Sequence, residues 1–87
     1  MTLKKEPGVS ILVVDDEPIV NQSLGDWFRQ DGYQVTTASS AKEALRLVAE
    51  HTFDIAFLDI KMPGMDGLEL QERLVRDCPD LSIIIMT

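Results

Sequence analysis

Eighty-seven residues, 45% hydrophobic and 26% charged, make one modest soluble-type domain that buries roughly 60–70% of its unfolded surface. A formal charge of −7 argues against binding a phosphate backbone, which calls for a basic face. No apolar stretch approaches the ~20 residues of a membrane span. The N-terminal MTLKKEPGVS lacks the apolar middle of a secretory signal. With one cysteine and one histidine, an internal disulfide and a cysteine–histidine zinc site are both excluded, and a reducing cytoplasm fits.

Residues 1–8 read as a flexible lead-in to a domain over 9–87. VSILVV (9–14) is a short, β-branched, continuously apolar run bounded by charge, the pattern of a strand buried on both faces of a parallel sheet. Pro18 suits the first turn of a helix. Val20, Leu24, Trp27 and Phe28 give that helix an apolar stripe, and Trp27 and Phe28 are assigned to the core. Gly32 ends it as a C-terminal cap. YQVTTA (33–38) is a more polar strand, expected near an edge. Ser40 and Glu43 have capping-box spacing before a helix carrying Ala41, Ala44, Leu45 and Val48. Asp54 precedes the third strand, IAFLD. Asp66 and Glu69 repeat the capping spacing, and Leu68, Leu74, Val75 and Cys78 are expected to line the third helix, stopped by Pro79. LSIIIMT (81–87) is a fourth strand, apolar on both faces.

Strand and helix alternate four times, the βαβ rhythm of a parallel sheet with right-handed crossovers. The fold class is therefore α/β, a doubly wound parallel sheet with helices on both sides. Ligands in such sheets bind beyond the carboxyl ends of the strands. Asp15 and Asp16 follow strand one and Asp59 ends strand three, so neighbouring strands would bring three carboxylates together. Clustered anions are unfavourable unless a cation neutralises them. Hard oxygen donors with few protein ligands suit Mg²⁺, commonly shared with a phosphate, and a carboxylate so screened can act as a nucleophile toward phosphorus.

ILVVDDEP, LDIKMPGMDG and the terminal IIIMT together resemble the receiver domain of two-component response regulators, over about residues 9–87. The resemblance implies a flavodoxin-like strand order, 2-1-3-4 for the strands present here. It implies that Asp59 accepts a phosphoryl group from a phosphohistidine on a sensor histidine kinase. Asp16 would ligate Mg²⁺ directly, Asp15 mainly through water, and Lys61 through its backbone carbonyl. Thr87 would contact the phosphoryl group and move inward as part of the switch, while Pro63 and Gly67 shape the loop after the acceptor. The domain would be a switch with autocatalytic phosphotransfer, not a turnover enzyme. Transcriptional or ATPase outputs are common in the family, and no residue here demonstrates one.

Plainer readings stand beside these. Asp15 and Asp16 could cap the first helix, Asp59 could be a strand-end turn residue, and Thr87 an ordinary strand threonine. His51 reads as a solvated residue at a helix C-terminus, and Cys78 as a small buried apolar residue. A calcium loop begun at Asp59 meets Lys61, Pro63 and Leu70 where acids or amides are required, with Gly64 alone fitting. A haloacid-dehalogenase-type phosphatase would need an acid at Lys61. Receivers usually continue through a further helix, strand and helix, with a lysine that pairs with the phosphoryl group. The sequence read ends at Thr87, so it is expected to be incomplete at its C-terminus, to be phosphorylated weakly, and to self-associate through the exposed edge of strand four. The alternative function is a phosphorylation-deficient receiver-like fragment acting as an interaction or dimerisation module, without direct nucleic-acid or membrane binding.

Overall fold

The computed structural model describes residues 9–59 and 67–86. The expected lead-in 1–8, the Asp66 cap, Lys61, Pro63 and Thr87 lie outside the described residues. Strand and helix alternate as β1 (Ser10–Val14), α1 (Pro18–Gln30), β2 (Gln34–Ala38), α2 (Ala41–Glu50), β3 (Ile55–Asp59), α3 (Gly67–Asp77) and β4 (Ser82–Met86). All strand pairs are parallel, and the order β2-β1-β3-β4 is the expected 2-1-3-4 of a doubly wound sheet.

The apolar run of β1 is explained by its central place. Ile11, Leu12, Val13 and Val14 are all buried, because helices cover both faces of the sheet. On one face Leu12, Val14, Ala56 and Leu58 meet Ala41, Ala44 and Leu47 of α2 and Leu70 and Leu74 of α3 in a single core. On the other, Phe28 of α1 stacks on Phe57 with ring centroids 5.1 Å apart, beside Val13, the β1 partner of Phe57. Such an aromatic pair contributes about 0.5–1.5 kcal/mol beyond the area it buries.

The helix ends follow from local chemistry. Pro18 occupies the start of α1, where its missing N–H removes no intrahelical bond. At the other end the Tyr33 N–H donates to the Phe28 carbonyl at 3.2 Å and the Gly32 N–H to the Arg29 carbonyl at 3.0 Å. This is the paired Schellman arrangement, closed by an edge-on contact between the Phe28 and Tyr33 rings. It requires the left-handed backbone found at Gly32, φ 94°. Gly32→Ala should therefore lose about 1–2 kcal/mol, read as a lower denaturation midpoint with an unchanged slope. At α2 the Ser40 hydroxyl accepts the Glu43 N–H at 3.1 Å. Glu43 returns the bond one residue further out, to the Ser39 N–H at 2.8 Å, a displaced form of the predicted capping box.

Two helix faces differ from the sequence expectation. Trp27 is not core: it is 63% exposed, and Phe28 alone turns toward the sheet. Adjacent helical positions differ by about 100°, so one aromatic of the pair faces the strands and the other faces away. In α3, Leu68 and Val75 are 52% and 58% exposed, while Leu70 and Leu74 are fully buried. One turn separates Leu70 from Leu74, and Cys78 packs against the same core a turn later. The apolar stripe is thus centred on Leu70 and Leu74 rather than on Leu68 and Val75.

The two outer strands are finished differently. The Gln34 N–H donates to the Val9 carbonyl, so the peptide groups of Val35 face away from β1. Arg29 reaches over from α1 and donates to the outward Val35 carbonyl at 3.1 Å. On β4, Ile83 and Ile85 pack against the core, while Ile84, paired with Phe57 on the α1 side, is 45% exposed.

Candidate functional site

A parallel sheet delivers every carboxyl end to one side. Val14 of β1 lies opposite Leu58 of β3, so the residues that follow, Asp15 and Asp59, leave the sheet next to each other. Asp16 joins them, and one carboxylate oxygen from each of the three acids lies within 4.8 Å of the others. Asp15 is buried, whereas Asp16 and Asp59 are partly exposed. The spatial convergence expected from the sequence is present.

Asp15 is held from several directions. Its N–H donates to the Ala38 carbonyl at 3.1 Å, and its carboxylate accepts the Glu17 N–H at 2.9 Å. Its carbonyl accepts from Asn21 Nδ2 at 2.8 Å, and the same Nδ2 also reaches the Ala38 carbonyl at 3.1 Å. Neither acid serves as the helix cap: the N-cap of α1 is Glu17, which makes no side-chain cap bond. Burial pushes the Asp15 carboxyl above the ordinary carboxylate range, the Glu17 N–H opposes that rise, and the charges of Asp59 and Asp16 add to it.

A buried carboxyl raised beside two further acids favours a cation held among the three. The donor set is all oxygen, contributed by few side chains, two of them partly exposed. That composition fits Mg²⁺, which binds one or two carboxylates and keeps several waters. Lys61 and Thr87, expected to complete the site, lie outside the described residues.

Asn21 escaped the sequence reading. It lies seven residues before Phe28 on the face that α1 turns to the sheet, a placement the sequence alone does not distinguish from a solvent-facing amide. It is 7% exposed. His51 and Cys78 lie at the other end of the strands, where both line a cleft of about 250 Å³ with Phe53 and Leu81. His51 is an exposed helix-end residue, as expected, whereas Cys78, expected to be buried, is only half-buried against the core. None of the helices in the described residues is long and apolar enough to cross a membrane.

A family model described as the response regulator receiver domain matches residues 11–87. Sporulation initiation phosphotransferase F of Bacillus subtilis is 38% identical over 77 residues, covering 88% of this chain and 62% of that protein. Among solved structures, response regulator TrrA of Thermotoga maritima in complex with Mg(2+)-BeF is similar with a TM-score of 0.84 at 38% identity, over 88% of this chain and 67% of that one. TrrA in complex with the histidine kinase ThkA gives a TM-score of 0.84 at 38% identity, over 91% of this chain and 68% of that one. The chain thus spans less than two thirds of the length of the Bacillus relative.

Proposed function

Because this chain belongs to the response regulator receiver family, we propose that it is a phosphoacceptor switch, phosphorylated on Asp59 by a sensor histidine kinase in the presence of Mg²⁺. The observation that carries this reading is the meeting of Asp15, Asp16 and Asp59 within 4.8 Å at the carboxyl ends of β1 and β3. Asp16 would hold the ion directly and Asp15 mainly through water, with Asp59 and the Lys61 carbonyl as the remaining protein ligands. Bound there, Mg²⁺ supplies the positive charge that lets an anionic phosphoryl group approach an acidic pocket.

A carboxylate oxygen of Asp59 attacks phosphorus, an O–P bond forms, and the P–N bond to the kinase imidazole breaks with its electron pair returning to nitrogen. Thr87 receives a phosphoryl oxygen and moves inward, biasing a two-state surface. The similarity to TrrA, solved with ThkA, supports a kinase as donor. The lone cysteine and the kinase partner fit a cytoplasmic receiver domain over residues 9–87.

The half-exposed Ile84 on β4 favours a second reading, an interaction module that self-associates through that strand and does not accept phosphate. Incubation with acetyl phosphate and Mg²⁺, followed by mass spectrometry, separates the two. A phosphoryl mass increase mapped to Asp59, dependent on Mg²⁺ and lost in Asp59→Asn, is the expected result, and slow labelling suffices. Mg²⁺ binding without any labelling, together with dimers in sedimentation, would favour the module instead.

A further inference from the structure

Among the described residues, Asn21 Oδ1 is the one buried side-chain polar atom without a hydrogen-bond partner. The amide is oriented so that Nδ2 serves the carbonyls of Asp15 at 2.8 Å and Ala38 at 3.1 Å, and the oxygen is left over. An unpaired buried acceptor is destabilising, and it stands here where an apolar side chain would instead deprive the Asp15 carbonyl of the Nδ2 hydrogen bond. The residue at this place therefore serves the two carbonyls at the expense of its own oxygen.

Those carbonyls stand just past the ladder, at the ends of adjacent strands β1 and β2, where Val14 pairs with Ala38. The Asp15 carbonyl belongs to the planar peptide that links Asp15 to Asp16. Fixing the direction of that carbonyl fixes the plane, which with the anchored Asp15 N–H sets how Asp15 leaves the strand and limits the directions open to Asp16. The Asp15 N–H is anchored to the same Ala38 carbonyl, so Asn21 and Asp15 share one fixed acceptor on the neighbouring strand.

We propose that Asn21 is a positioning residue of the divalent-cation site: by tying the Asp15 and Ala38 carbonyls together it aims the Asp15 and Asp16 carboxylates at a common point with Asp59. This rests on the reading of the three acids as a Mg²⁺ site. Outer partners that orient metal ligands typically change metal affinity by about 10–100-fold when removed. A residue that merely fills space would alter stability equally with and without the ion.

The test compares wild type, Asn21→Leu and, as a destabilised control on α2 that packs against the core and not against the acids' backbone, Leu45→Ala. Mg²⁺ affinity is measured by calorimetry and the Mg²⁺-induced rise in Tm by circular dichroism. Asn21→Leu is expected to bind Mg²⁺ about 10–100-fold more weakly and to lose most of the Mg²⁺-induced rise. Leu45→Ala is expected to melt lower while keeping both the wild-type affinity and the full rise. Asn21→Gln, which retains the donor on a longer arm, is the second variant should the leucine protein not fold, and it too should bind more weakly than wild type. Wild-type affinity in the Asn21 variant that folds overturns the positioning role while leaving the Mg²⁺ site standing. No Mg²⁺ binding by the wild type overturns both.

Discussion

Replacing Leu74 by alanine should lower the stability of this domain by about 2–5 kcal/mol, while Val75→Ala, one residue away, should change it by no more than about 0.5 kcal/mol. Leu74 is fully buried and Val75 is 58% exposed. Leu74 sits where α3 meets the core formed with Ala44 and Leu47 of α2 and Leu58 of β3. Truncation there removes apolar contact and leaves a cavity that a sheet-anchored helix closes poorly. For a chain of this size the whole folding free energy is about 4–13 kcal/mol, so the Leu74 variant approaches half-unfolding at room temperature at the lower end of that range. Urea denaturation of the two variants measures the contrast directly. Equal losses would show that α3 is rotated from the orientation described.

Asp15→Asn should stabilise the protein at neutral pH without divalent ions, and should abolish its response to Mg²⁺. The folded environment holds the Asp15 carboxyl above its ordinary value of 3.8, chiefly by burial and then by the nearby Asp59 and Asp16 charges. Between the unfolded value and the higher folded one the native state binds more protons than the unfolded chain. Stability contributed by this group is therefore full below the unfolded value and falls as pH rises through the folded one. Asparagine carries no charge to bury, and its side-chain oxygen can still accept the Glu17 N–H. The variant's advantage should thus be largest at neutral pH, fade as pH falls through the raised folded value, and be gone below the ordinary value of about 3.8. Mg²⁺ reverses the order: at a hundredfold excess over Kd, binding adds about 2.7 kcal/mol to a protein that holds the ion, and the asparagine variant should gain little. Melting curves over pH, with and without Mg²⁺, test both halves. A variant less stable than wild type at every pH without metal would show that the aspartate is not under electrostatic stress.

The parts of the molecule legible in the sequence were those where one physical signal dominates. The unbroken apolar run of β1 could satisfy a strand covered on both faces and little else. Pro18 and Gly32 mark the two ends of α1 because one lacks an N–H and the other tolerates φ 94°. Asp15, Asp16 and Asp59 stood out because acids directly after buried strands have one destination in a parallel sheet. The errors arose where neighbouring residues were chemically alike and only the helix phase decides between them. Trp27 and Phe28 are both aromatic, and Leu68, Leu70, Leu74 and Val75 are all aliphatic, so composition cannot say which face the sheet will cover. Asn21 was hidden for the opposite reason. A single amide in a helix looks like solvent-facing polarity until the strand ends it ties together are brought within reach.

Arg29 gives the outermost strand a safeguard against fibril seeding. An incoming strand would need the outward Val35 carbonyl as an acceptor, and the guanidinium already occupies it at 3.1 Å. Colloidal repulsion from the −7 net charge fades once the Debye length shrinks to about 3 Å in molar salt. A hydrogen bond at contact distance is far less sensitive to screening. The cover over the Val35 carbonyl therefore persists in concentrated electrolyte, where general charge repulsion has ceased to protect the chain.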